Sequence, residues 1–211
     1  RNVRAVRAYE AAGFIDTGLI PLLADTFNRY FEPENLRAAL KVLAAAGYRA
    51  VVPPTKGRPL CCGRTYLSQG MVDKAKAEGR RMMAALTPAL AAGTPIVGLE
   101  PSCLLALRDE FYSLSLGPEV AQVGKQAFLF EEFLMREGNK GLKLDLQPLT
   151  GGRAVVHGHC HQKAFGAMKA MKKVLGWIPG FEFDIVDASC CGMSGSFGLE
   201  AEHYEASVQM G

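Results

Sequence analysis

The sequence predicts an α/β fold made of duplicated βαβ-type halves, with mainly parallel sheets, helices on the sheet faces and a pseudo-twofold relation between the halves. Three observations predict it. Short apolar runs alternate with amphipathic stretches at the spacing of βαβ units. The triplet Cys-Cys-Gly occurs twice among only six cysteines, at Cys61-Cys62-Gly63 and at Cys190-Cys191-Gly192. The order strand, helix, strand, Cys-Cys-Gly surrounds both triplets.

In chain order, Leu19 to Ala24 is an apolar run that reads as a buried strand. Asp25 to Phe31 reads as a loop. Pro33-Glu34-Asn35 opens a helix, with proline in its first turn and an acid near the positive end of the dipole. Leu36, Leu40, Leu43 and Ala44 keep helical spacing, and Gly47 ends the helix. Arg49 to Val52 is a second strand, stopped by Pro53-Pro54. After the first Cys-Cys-Gly a long helix runs from Met71 to Ala92, closed by Gly93. Pro95 to Leu99 is a third strand, Glu100-Pro101-Ser102-Cys103 follows it, and Leu104 to Phe111 starts a helix. Pro118 to Arg136 reads as one helix with an apolar stripe through Phe130, Phe133 and Leu134. Gly138 to Gly152 is a polar connection. The domains expected are therefore 1–140, the first repeat with its connecting helices, and 141–211, the second repeat. In the second repeat Arg153 to Val156 is a strand, Gln162 to Leu175 a helix, Phe181 to Val186 a strand, and a final helix starts near Glu200.

A chain of 211 residues buries one large core or two small ones. Its 49% hydrophobic share is ordinary for a globular protein. A net charge of +3 with mixed signs, and no basic run interleaved with aromatics, gives no footprint for nucleic acid. Arg1, Arg4, Arg7, Lys169, Lys172 and Lys173 read as solvated helix faces. No apolar run approaches the ~18–20 residues that cross a bilayer, so peripheral association is the most a membrane is expected to offer. No signal peptide is visible. Both ends fall within or beside helical patterns, so the chain reads as a fragment of a longer polypeptide, truncated in its second repeat. Six free thiols beside histidines fit a reducing compartment, hence a cytoplasmic location, reached at the inner face of a membrane through partners.

The chemistry lies in the cysteines. Neighbouring cysteines rarely bond each other, because the ring that closes is strained. Both can reach one soft metal centre, and the following glycine lets the backbone turn sharply beside it. Cys61, Cys62 and Cys103 form a first set at strand ends. Cys160, Cys190 and Cys191 form a second, with His157, His159 and His161 nearby. Strand ends are where open α/β sheets build binding sites. Thiolates select zinc, copper(I) or iron–sulfur centres. The Cys-x-x-Cys knuckle of structural zinc is absent, which favours a multi-iron centre; zinc and unliganded thiols remain the alternatives. The three histidines alternate along an extended stretch, and His161 is the candidate catalytic residue, placed to donate to a cluster sulfur or a substrate. His203 reads as surface. The glycines between Cys190 and Gly198 lack the Gly-Lys-Ser/Thr of a phosphate loop.

These residues resemble the cysteine-rich CCG domain family. The family includes the B subunit of heterodisulfide reductase, the iron–sulfur subunits of glycolate oxidase and anaerobic glycerol-3-phosphate dehydrogenase, and the C-terminal part of FAD-linked D-lactate and D-2-hydroxyglutarate dehydrogenases. The stretches Phe27 to Glu34, Gly98 to Cys103, His157 to Ala164 and Cys190 to Gly198 look most like the FAD-linked group. The resemblance implies Cys61, Cys62 and Cys103 as ligands in the first repeat and Cys160, Cys190 and Cys191 in the second. It implies an iron–sulfur cluster, 4Fe–4S or non-cubane, with zinc as the alternative. Thr26 stands where the first repeat usually opens with cysteine, and Glu100 replaces the first member of a Cys-x-x-Cys pair, so the second repeat is expected to be the better site. The function implied is electron transfer in a flavin-linked oxidoreductase acting on a 2-hydroxy acid of D-lactate, glycolate or D-2-hydroxyglutarate type. FAD would belong to the parent protein and not to this fragment, which alone should not turn over substrate. The implied partners are a flavin domain or subunit and an electron acceptor such as a quinone or an electron-transfer protein. The other expectations are a zinc-stabilised subunit-interaction domain, or a thiol/disulfide reductase module of heterodisulfide-reductase type.

Overall fold

The apolar run Leu19–Leu23 forms strand β1, all five residues of which are buried. A strand covered on both faces reads as an unbroken apolar run, as this one does. The computed structural model describes residues 19–55, 57–188, 191–193 and 197–211. These divide into two compact units, one ending at Leu144 and the other spanning Asp145–Gly211. The fold is α/β, with parallel strands and helices alternating along the chain.

In the first unit β1 pairs in parallel with β2 (Arg49–Val51) and with β3 (Ile96–Gly98), and β3 pairs in parallel with β4 (Ala127–Leu129). The sheet order is β2-β1-β3-β4. Residues 19–21 of β1 pair with β2, and residues 22–23 pair with β3. Pro21, which has no N–H to give, therefore sits where the pairing changes side. From β1 the chain crosses outward to β2, then returns to the other side of β1 to lay down β3. That reversal opens a crevice beyond the carboxyl ends of β1 and β3, the place where open α/β sheets bind ligands. Ile20, Leu22, Leu43, Leu86, Ile96 and Phe133 are fully buried in the core of this unit.

The helices largely follow the expected pattern. Pro33–Ala45 begins with its proline in the first turn, and Gly47 beyond it has φ +83°. The long helix Val72–Ala91 buries Ala75, Met82, Leu86 and Leu90 along one face. Three expectations are corrected. Asp25 to Phe31 is not a loop: Thr26–Tyr30 is a one-turn helix, because the Asp25 carboxylate accepts the Asn28 N–H at 2.9 Å and caps it. Pro118 to Arg136 is not one helix. It is a helix Val120–Gln126, then β4, then a helix Phe130–Asn139. The parallel ladder to β3, more than twenty residues away, overrides the local helical period. The helix expected from Leu104 starts earlier, at Pro101, so Cys103 lies inside Pro101–Leu105, which runs on as a 3₁₀ turn Ala106–Arg108. A helix Glu110–Ser113 follows.

In the second unit β5 (Arg153–Val156) pairs in parallel with β6 (Glu182–Ile185). The helix expected over Gln162 to Leu175 is two helices, Cys160–Ala164 and Met168–Leu175, separated at Gly166, whose φ is +68°. A last helix covers Tyr204–Met210. The local order strand, one-turn helix, longer helix, parallel strand thus occurs in both units. The register pairs Leu19 with Arg49 in one and Arg153 with Glu182 in the other. Among the described residues, no helix is long and apolar enough to cross a membrane.

Candidate metal centre

Three chain segments meet at the carboxyl ends of β1, β2 and β3 around a small open cavity. Asp25, Thr26 and Arg29 reach it from the turn after β1, Pro53 and Thr55 from the stretch after β2, and Cys103 from the helix after β3. Cys61 and Cys62 line it as well. The sheet reversal, not any local sequence signal, is what brings Cys103 to a pair of thiols forty positions earlier.

The turn that presents the pair is fixed by Gly63. Its φ is +81°, and its N–H donates to the Cys61 Sγ at 3.4 Å. A Cβ placed on Gly63 would lie 2.9 Å from the Ala75 carbonyl oxygen of the long helix. Only glycine lets the turn rest against that helix backbone. The short helix Arg64–Ser68 then leaves the site, and Arg64 pairs with Glu110 at 2.7 Å.

Cys62 is buried and lies between the other two thiols, in side-chain hydrogen-bonding contact with Cys61 on one side and Cys103 on the other. The contact with Cys62, then burial, pushes the Cys61 thiol far up. The contact with Cys103 and burial do the same to Cys62. At Cys103 the contact with Cys62 lowers the thiol, but burial and the carboxylates of Glu100 and Asp25 outweigh it and raise it. Without metal the trio is therefore fully protonated near neutral pH.

Two departures from the cysteine pattern have visible roles. Glu100 caps the helix Pro101–Leu105, its carboxylate accepting the Cys103 N–H at 2.5 Å. Thr26 opens the one-turn helix after β1 and lines the cavity. Cys160 opens the corresponding one-turn helix after β5. The caps are made differently: the Asp25 carboxylate accepts the Asn28 N–H, whereas the Gln162 side chain accepts the His159 N–H at 3.0 Å.

In the second unit His159, Cys160 and His161 bring one donor atom each to within 4.8 Å of one another. The His159 Nδ1 accepts the His161 N–H at 3.1 Å, and the two rings lie 5.3 Å apart. His161 therefore belongs to a helix and not to an extended segment. His157 is exposed. Cys160 and Cys191 are exposed, and none of the five described cysteines is in a disulfide. Cys190 lies outside the described residues. Gly192 has φ +76° and packs against the Ser207 backbone so closely that a Cβ would overlap its carbonyl. The glycine after each cysteine pair is thus seated on a helix. His203 is more than surface: it stacks on Phe197 with centroids 4.1 Å apart and pairs with Glu200 at 2.9 Å. Nothing in the sequence signalled that contact beyond the aromatic six residues earlier. Among the described residues, the convergence of three thiols lies in the first set, which sequence ranks as the weaker site.

Residues 26–108, which contain all three converging thiols, match the family model described as cysteine-rich domain, CCG. Over that stretch the chain is similar to the CCG cysteine-rich domain. Over 191 residues it is 29% identical to a subunit of the anaerobic glycerol-3-phosphate dehydrogenase of Escherichia coli, covering 88% of this chain and 46% of that protein. It is 29% identical to the D-2-hydroxyglutarate dehydrogenase of Pseudomonas putida, covering 89% of this chain and 18% of that one. It is 25% identical to lactate utilization protein A of Bacillus velezensis, covering 81% and 70%. The chain thus spans less than half the length of the first two relatives. No solved structure matches it. The matched segment begins at Thr26 and runs past Cys103, so it holds all of the cavity lining except Leu23, Ala24 and Asp25.

The donor chemistry of the trio suits a thiophilic centre, with Cys62 between the other two, but the three sulfurs are not a group lying within 4.8 Å of one another as the donors of His159, Cys160 and His161 are. Three sulfurs of one cavity are soft ligands. The carboxylates of Glu100 and Asp25 place negative charge beside Cys103.

Proposed function

We propose that this chain is the electron-transfer module of a flavin-linked dehydrogenase that oxidises a 2-hydroxy acid or a related hydroxylated metabolite. The observation that carries the reading is the meeting of Cys61, Cys62 and Cys103 in one cavity at the sheet reversal, inside the matched CCG segment. Relatives named as dehydrogenases of glycerol-3-phosphate and D-2-hydroxyglutarate, and as a lactate utilization protein, support the redox class. Cys61, Cys62 and Cys103 hold a centre in the first unit, and Cys160, Cys190 and Cys191 hold one in the second. An iron–sulfur centre, when bound, supplies one-electron redox chemistry.

The chain's own residues set the conditions. Burial of Cys62 keeps water from its sulfur. Each raised thiol must lose its proton on ligation, so uptake releases protons and strengthens with pH. Glu100 and Asp25 place negative charge beside Cys103, which favours the more oxidised and less negative state of whatever the thiolates hold. Flavin, substrate site and acceptor, a quinone or an electron-transfer protein, belong to other parts of the parent protein or its partners, at the cytoplasmic side. His161 is the candidate for donating a hydrogen bond at the second site.

A second reading is zinc at Cys160, favoured by the nitrogen and sulfur donors of His159, Cys160 and His161 within 4.8 Å. Redox titration of the full-length protein separates the two. Protein purified without oxygen should show visible absorbance that the reduced flavin domain bleaches. Colourless protein with stoichiometric zinc and no redox response rejects the electron-transfer reading.

A further inference from the structure

The long helix buries a glutamate. Glu78 is 2% exposed, a position that an apolar residue would fill at lower desolvation cost. Its carboxylate is held by two guanidiniums: Arg81, one turn on, at 2.6 Å, and Arg58 from the segment entering the cysteine pair. Arg81 then spends its other nitrogen on backbone. It donates to the Arg58 carbonyl at 2.7 Å and to the Pro59 carbonyl at 3.2 Å. Pro59 stands two residues before Cys61. The Cys-Cys-Gly turn is thus tied to one helix at both ends, by Glu78 and Arg81 before it and by the seat of Gly63 on Ala75 after it.

The second unit solves the same problem with another residue. Lys163 donates its ammonium to the Ala188 carbonyl, two residues before Cys190. In both units a cation from a neighbouring helix grips the carbonyl at this one position. A generic surface ion pair has no reason to choose it twice.

We infer that Glu78 and Arg81 are positioning residues for Cys61 and Cys62: the buried carboxylate fixes the guanidinium, and the guanidinium fixes the backbone that aims the thiol pair into the cavity. The inference deepens the metal-binding reading and rests on it for its purpose, though not for its geometry. Arg81 touches no thiol. It acts through the carbonyls of residues 58 and 59. Glu78 also lies near enough for its charge to be felt at Cys61, which agrees with the arrangement.

The test uses Arg81→Met, Arg81→Lys and Glu78→Gln in the full chain. Two readouts are taken beside thermal melting. One is the rate of alkylation of Cys61 in metal-free protein, resolved by peptide mass spectrometry and divided by the rate at exposed Cys160. The other is cobalt(II) titration followed by thiolate-to-metal charge-transfer absorbance. Loss of the two carbonyl bonds should free the turn, raising relative alkylation of Cys61 about tenfold and weakening cobalt binding about tenfold. Arg81→Lys, which keeps a cation near Glu78, should recover part of both. Should Arg81→Met fail to fold, the isosteric Glu78→Gln carries the same comparison. Variants that melt lower while Cys61 alkylation stays within twofold of wild type would make the pair a mere staple of loop to helix and overturn the inference. No cobalt–thiolate band in the wild type would sink the metal reading instead, and the alkylation ratio would still decide the positioning role.

Discussion

Replacing Gly63 by alanine tests how the thiol pair is built. Two costs add. The left-handed backbone at φ +81° costs an L-residue about 1–2 kcal/mol. The new Cβ would also lie 2.9 Å from the Ala75 carbonyl oxygen and 3.1 Å from its Cα. Those are helix backbone atoms that no rotamer change can move, and forced overpacking costs about 1–3 kcal/mol. The sum is about 2–5 kcal/mol, a large part of the ~5–15 kcal/mol that holds a domain together. Gly70→Ala is the control: its φ is +70°, but nothing lies within 4 Å of its Cβ position, so it carries only the first cost. Equilibrium denaturation followed by far-ultraviolet circular dichroism reads both. Gly63→Ala should be the less stable by at least ~1 kcal/mol. Equal midpoints for the two variants would refute the close seating of the turn on the long helix.

Further outcomes are expected. The thiols of Cys61 and Cys62 are raised above the ordinary value of 9.0, so the folded metal-free chain keeps protons that the unfolded chain releases. Their contribution is full below pH about 9 and is lost as pH rises above it, so denaturation midpoints should fall through pH 9–10 and fall less in Cys62→Ser. Tyr48→Phe removes the 2.7 Å bond to Glu137 but keeps the edge-on contact with Phe133, and should cost about 1–2 kcal/mol in denaturation. Glu100→Ala removes the cap on the Cys103 N–H and should cost about 1 kcal/mol, while making the Cys103 thiol easier to ionise in an alkylation–pH profile.

Much of this was legible in the residues. β1 and β3 are short apolar runs closed by turn residues, and the helix Pro33–Ala45 carries its start and stop signals in Pro33 and Gly47. β4 was not legible. Ala127-Phe128-Leu129 sits inside an apolar stripe of helical period, and only pairing with distant Ile96–Gly98 makes it a strand. The helix at Thr26 was signalled by Asp25 followed three residues later by Asn28, a cap-and-partner spacing easily mistaken for a polar loop. The grouping of Cys61, Cys62 and Cys103 was legible from their places at strand ends. The middle place of Cys62 was not, because it reaches Cys103 only through the order in which the strands are laid down. Glu78 could have been suspected, since it falls on the helix face of Ala75 and Met82. A charge at an apolar position asks for partners, and the sequence does not say which.

The most direct test is the iron and acid-labile sulfide content of the full-length protein purified without oxygen, measured in wild type and in Cys62→Ser. The account predicts iron and sulfide together in the wild type, with sulfur-to-iron absorbance, and a clear loss of both when the central thiol of the first set is removed. Iron and sulfide unchanged by Cys62→Ser, or a wild type holding neither, would contradict it.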